Sequence, residues 1–184
     1  MIPLITQTPR LTILAASRAL LTAELHKPQY FPVLLGAALP TDWPPVGYDR
    51  EAMEYFLEKL TAGGREAAGW YNWYALLKAE GDQPRTLVGS GGFTGPPDAA
   101  GTAEIGYSIA TDWRGRGLAT ELVSGLVQQA ADTGLVRRLI AHAQPENLTS
   151  QKVLLANGFA STGTDVNGQL RFERSIAPAA TLPV

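Results

Sequence analysis

The stretch "AEIGYSIATDWRGRGLATE", Ala103–Glu121, runs three patterns together. Its first part reads as a strand. Its middle alternates arginine with glycine, and its end opens an apolar repeat of helical period at Leu118, Leu122, Val123, Leu126, Val127 and Ala130. A strand that feeds a helix through a glycine-rich loop presents free backbone N–H groups, and the helix dipole adds a partial positive charge there. Such a place binds anions, phosphate most often. Gly115 and Gly117 allow close approach of the backbone, and Arg114 and Arg116 can add charge-assisted contacts. Taken alone, the loop reads equally well as a solvated turn with two surface cations. A dinucleotide fingerprint would need glycine where Thr120 stands, and a P-loop would need a Gly-Lys-Ser/Thr ending that is absent.

Working outward, "RLTILAAS" (10–17) predicts a first strand and "RALLTAELH" a helix. Prolines break the chain up to residue 45. "YDREAMEYFLEKL" follows as a helix with Asp49 at its N-cap, ended by "TAGGR". Three β-like runs, 69–80, 86–95 and 102–110, are separated by Gly/Pro breaks that suggest an antiparallel meander. Glycines 89, 91 and 92 mark a bulge or a tight contact. Alternation puts Trp70, Asn72 and Tyr74 on one face, and Tyr71 with Trp73 on the other. The helix after the opening stretch stops at Gly134. "RLIAHAQ" is a strand, "ENLTSQKVLLANGF" a short helix stopping at Gly158, and Asn167-Gly168 turns a hairpin. The crossover helix makes the strands at 102–110 and 139–144 parallel neighbours. The order describes one mixed α+β domain, 1–176, with a loose tail at 177–184.

Composition narrows the function. The 184 residues carry 15 Lys+Arg against 17 Asp+Glu, a formal charge of -2. That balance argues against a nucleic-acid or membrane partner, so anion binding has to be local. The chain has no cysteine, which removes disulfides, thiolate nucleophiles and Cys-based metal sites, and no metal is expected. "MIPLITQTPR" does not read as a signal peptide, and no apolar run approaches the roughly 18 residues of a membrane span. A cytoplasmic protein is expected, with a homodimer left open.

Arg114-x-x-Gly117-x-Ala119 resembles the acyl-CoA signature of the GNAT superfamily of N-acyltransferases. "AEIGYSIATDWRGRGLATE" is similar to that family's strand–loop–helix, and "AHAQPENLTSQKVLLANGF" to its second conserved block. "TPRLTILAAS" looks like the opening strand of the ribosomal-protein-N-acetyltransferase-like branch. The resemblance covers most of residues 8 to 175, weakly between 20 and 70. It implies a mostly antiparallel mixed sheet, splayed between two parallel strands and flanked by about four helices. It also implies transfer of an acetyl group from acetyl-CoA to a primary amine by direct attack on the thioester. A non-catalytic acyl-CoA-binding sensor of the same fold is the alternative.

The resemblance assigns roles residue by residue. The CoA pyrophosphate falls to the loop amides of Arg114, Gly115, Arg116, Gly117, Leu118, Ala119 and Thr120, and the pantetheine arm to Ser108, Ile109 and Ala110. A backbone N–H near Ile109 would polarise the thioester carbonyl. Asn147 would bind the pantetheine arm and Ser150 would be a proton donor near the sulfur, although Asn147 or Thr149 also suits the helix N-cap. The position where many members carry an acid tyrosine is Leu154. Glu104, on one strand face with Gly106 and Ser108, is the candidate base; a solvated carboxylate or an arginine's partner is its plainer reading. His142 reads as a packed strand residue. The acceptor region falls within 20–75, where the pattern is weakest.

Overall fold

The computed structural model describes residues 2–177, and the expected tail lies outside them but for Ala177. An eight-stranded sheet runs in the order β1-β2-β3-β4-β5-β6-β8-β7. β1 (Ile5–Gln7) pairs antiparallel with β2 (Leu11–Ala15), and β2 with β3 (Asn72–Leu77). β4 (Thr86–Phe93) and β5 (Thr102–Ile109) complete the expected meander. β5 pairs parallel with β6 (Arg138–Ala143), and β6 takes the hairpin of β7 (Ala160–Thr164) and β8 (Leu170–Ser175) through β8.

The two faces carry separate cores, sorted by the period-2 alternation of the strands. Leu11, Ile13, Trp73, Ala75, Ile105 and Leu139 face α4 (Leu118–Thr133) and α5 (Leu148–Ala156). Tyr74, Leu76 and Leu87 face α1 (Arg18–His26), α2 (Phe31–Leu35) and α3 (Arg50–Ala67). All six apolar positions read on the helix after the loop pack into the first core, and Gly134 ends that helix in the left-handed region.

Several expectations change. β1 is missing from the sequence reading because three residues are too few to show a period. α2 sits within the proline-broken stretch, with Pro32 in its first turn where proline is tolerated, and it brings the α-helices among the described residues to five, close to the expected four. α3 runs past "TAGGR" to Ala67: Gly64 takes the non-helical conformation alone, and the buried Ala67 holds the last turn down. Trp70 precedes β3 and leaves its alternation. It packs edge-on to Phe93, ring centroids 5.4 Å apart, in the same core as Trp73. Glycines 89–92 mark both a register shift against β3 and a close contact. A Cβ at Gly89 would lie 2.8 Å from the Ser108 carbonyl oxygen.

Candidate functional site

The pairing of β5 with β6 stops at Glu104 and Ile140, yet β5 continues to Ile109 and β6 to Ala143. The strands therefore splay and leave a gap. Thr94 N–H donates to the Glu104 carbonyl and Ala110 N–H to that of Val88. In an antiparallel ladder the bonded residues alternate. Glu104, Gly106, Ser108 and Ala110 thus direct their backbone groups to β4, while Tyr107 and Ile109, past the last β6 pair, direct theirs into the gap. Among the strand positions assigned to a pantetheine arm, Ile109 is the one whose N–H points there. The Ser108 hydroxyl instead donates to the Val46 carbonyl, 2.7 Å away on the other face.

At the end of β5 the chain makes a 3-10 turn, Thr111–Trp113, and then the loop to α4. Gly115 (φ 72°) and Gly117 (φ 76°) occupy the left-handed region that a Cβ disfavours. Gly117 is the N-cap of α4, and no side chain among the described residues caps it, which leaves the first-turn amides of Leu118, Ala119 and Thr120 open. The two loop arginines turn back on their own backbone. Arg114 Nε donates to the Ile109 carbonyl at 3.0 Å, and Arg116 donates to the Asp112 carbonyl while its guanidinium lies 4.6 Å from the Trp113 ring centre. A third cation reaches the loop from the β1–β2 turn. Arg10 donates to the Arg116 carbonyl at 2.8 Å and to Glu121 on α4 at 2.7 Å. Partial burial pushes the Glu121 carboxyl up, but the Thr8 hydroxyl and the Arg10 amide and guanidinium together outweigh it and hold the group below the ordinary carboxylate range. Long sequence separation hid Arg10.

Across the gap, Asn147 caps α5: its Oδ1 accepts from Ser150 N–H at 3.0 Å, which leaves its amide Nδ2 for another partner. The Ser150 hydroxyl lies 2.8 Å from the Tyr107 hydroxyl, a contact between α5 and β5 that alternation alone did not reveal. Burial pushes the Tyr107 hydroxyl up, against the opposing hydrogen bond from Ser150. Leu154 is fully buried in the core beneath.

Glu104 has a histidine where an arginine was considered. Its Oε1 lies 2.9 Å from His142 Nδ1, and Asp165 Oδ2, from the β7–β8 turn, lies 3.7 Å from His142 Nε2. Glu104, Gly106 and Ser108 share the sheet face of α1–α3, as alternation predicts. A pocket of about 160 Å³ opens on that face, lined by Val46, Tyr48, Ala52, Phe56, Asn72, Ser90, Gly106, Tyr107 and Ser108 among others.

A strand splayed from its parallel neighbour, with a glycine loop at its end and a pocket behind it, has a counterpart among known proteins. Residues 20–160 match the family described as Acetyltransferase (GNAT) domain.

The chain belongs to the GNAT acetyltransferase family.

An N-acetyltransferase of Bacillus subtilis (strain 168), the uncharacterised YjdG, is 32% identical over 125 residues, which span 68% of this chain and 71% of that one. The GNAT fold recurs in RimL, a ribosomal L7/L12 alpha-N-protein acetyltransferase solved with coenzyme A. There the TM-score is 0.64 at 20% identity, over 94% of this chain and 98% of that one. It recurs also in the microcin C7 self immunity acetyltransferase MccE, solved with acetyl-CoA and AMP. That match has a TM-score of 0.59 at 22% identity, over 92% and 94% of the two chains. The GNAT chain described here thus shares its fold with an alpha-N-protein acetyltransferase and a self immunity acetyltransferase alike.

Proposed function

We propose that this GNAT acetyltransferase moves an acetyl group from acetyl-CoA to a primary amine, on a protein N-terminus or on a small molecule. The observation that carries the reading is the gap between β5 and β6. The unpaired N–H of Ile109 opens into it, the uncapped first turn of α4 lies beyond the end of β5, and Tyr107 and Ser150 meet across it.

In this reading the open amides of Leu118, Ala119 and Thr120, with Gly115 and Gly117, hold the pyrophosphate, and Arg114 and Arg116 brace the loop. The pantetheine arm extends β5 as an added strand along Tyr107 and Ile109, with the Asn147 amide at its side. Ile109 N–H stabilises the oxyanion formed when the amine attacks. The amine arrives from the pocket face, where Glu104, paired with His142, takes its proton. Ser150, backed by Tyr107, returns a proton to the departing thiolate. No covalent enzyme intermediate is needed, in keeping with a chain that lacks cysteine.

The test is an acceptor screen with acetyl-CoA over peptides with free N-termini and small amines, read as released thiol and as acetylated product by mass. Turnover with one acceptor class supports the reading. Tight CoA binding with no turnover on any amine supports the non-catalytic sensor.

A further inference from the structure

Behind the pocket lies a carboxylate that the chemistry above does not use. Glu24 on α1 is 8% exposed, and its three partners are neutral donors. Trp43 Nε1 donates to Oε1 at 2.8 Å; the Tyr48 and Tyr74 hydroxyls donate to Oε2 at 2.8 and 2.6 Å. A buried carboxylate held by neutral groups is a costly feature for a core and asks for a reason.

The hydrogen-bond directions supply one. The indole N–H of Trp43 can only donate, and the Tyr48 proton is committed to Glu24. The Tyr48 oxygen therefore accepts, and it does so from Asn72 Nδ2 at 3.0 Å. That turns Asn72 Oδ1 toward Ser90, whose hydroxyl donates to it at 2.5 Å. Tyr48, Asn72 and Ser90 all line the pocket. With its proton drawn toward Asn72, Ser90 has only acceptor capacity left for the pocket. The same carboxylate anchors the wall: Trp43 and Tyr48 belong to the loop between α2 and α3, whose far side is fastened by Ser108 to the Val46 carbonyl and by Thr111 N–H to Asp42 at 2.6 Å.

We propose that Glu24 is a positioning residue that fixes the direction of this chain, so that the pocket floor receives hydrogen bonds and selects acceptors with a donating hydroxyl or ammonium group near the reacting amine. This rests on the reading of the pocket as the acceptor site. An isostere that ends in methyl leaves Ser90 without a partner, and a carboxylate meets lone pairs with a negative charge behind them.

Two isosteric pairs test the selectivity: ethanolamine against propylamine, and tripeptides beginning with serine against 2-aminobutyrate. The full-length protein is expected to favour the hydroxyl member by about tenfold or more in kcat/KM. Glu24→Gln can donate where the carboxylate accepts, and is expected to bring the ratio close to one. Tyr48→Phe breaks the same chain one link later and carries the test if Glu24→Gln does not fold. Hydrogen exchange gives the second readout. Both variants should speed exchange in 40–48 while β3 and β4 keep their protection and acetyl-CoA affinity stays within about twofold. Equal rates on the two members in the wild type, or a preference unchanged in both variants, overturns the selectivity. Exchange unchanged in 40–48, or raised equally throughout the sheet, overturns the anchoring role. Absence of turnover on every amine instead overturns the catalytic reading on which the selectivity rests, while the exchange result still decides the anchor.

Discussion

The hydroxyl of Tyr107 on β5 lies 2.8 Å from the hydroxyl of Ser150 on α5 and also donates to the Ser150 carbonyl at 3.2 Å. These bonds tie the two sides of the gap together. Burial raises the Tyr107 pKa, so the tyrosine is a neutral hydroxyl at neutral pH, and in the proposed reaction it would hold Ser150 in place as Ser150 gives its proton to the thiolate. Ser150→Ala is expected to lower kcat by about 100-fold, the lower end of positioned acid catalysis, and Tyr107→Phe by about tenfold, less because it acts through Ser150. Steady-state kinetics of the two variants and of the double variant check this. The double variant should lose little more than Ser150→Ala alone, since the two groups act as one unit.

Glu104→Gln keeps the side-chain shape but cannot take a proton. The expected outcome is a loss of about 100-fold in kcat/KM. His142→Asn removes the partner at 2.9 Å and should cost less than Glu104→Gln does. A kcat/KM unchanged in Glu104→Gln would move the base elsewhere.

The Arg10 guanidinium joins Arg116 of the loop to Glu121 of α4. Arg10→Ala should raise the KM for acetyl-CoA by about tenfold, several times more than it lowers kcat, because a preformed loop contributes mainly to binding. Stability should change as well. Glu121 has a depressed pKa in the folded protein, so its contribution is present above the ordinary carboxyl value and is lost as pH falls through the lower folded value. Thermal melts from neutral to acid pH should show a drop in that window that is smaller in Arg10→Ala.

Glu24 acts with the opposite sign. Burial pushes its carboxyl up more than Tyr74, Trp43 and Tyr48 pull it down, so the folded state holds this proton more tightly than the unfolded one. Stability from this group is largest below the ordinary carboxyl value and falls as pH rises toward the raised one. Difference melts of wild type against Glu24→Gln should show the wild type losing ground over that window, the reverse of the Glu121 trend.

Much of this was legible in the sequence. Leu118 to Ala130 repeat with helical period because one helix face is buried, and Gly115, Gly117 and Gly134 stand where the backbone turns left-handed. Asp49 and Asn147 cap their helices through local contacts, which neighbouring residues announce. What escaped depends on distance along the chain. Arg10 meets the loop, Tyr107 meets Ser150, and Glu24 gathers Trp43, Tyr48 and Tyr74 only once the sheet has formed. The partner of Glu104 stayed hidden for the same reason, since His142 faces it only through the parallel register of β5 and β6. Between residues 28 and 48 the five-residue α2 and the backbone bridge of Ala38 to β4 are too short to show a period, and Asp42, Trp43 and Tyr48 hold the rest through their side chains.

The central claim is that backbone amides at the start of α4 hold the pyrophosphate of CoA while the splayed strand takes its arm. Titration calorimetry with CoA, dephospho-CoA and pantetheine tests it most directly. Two or more charge-assisted bonds to the diphosphate predict that CoA and dephospho-CoA bind at least about 100-fold more tightly than pantetheine. Pantetheine binding as tightly as CoA would contradict the account.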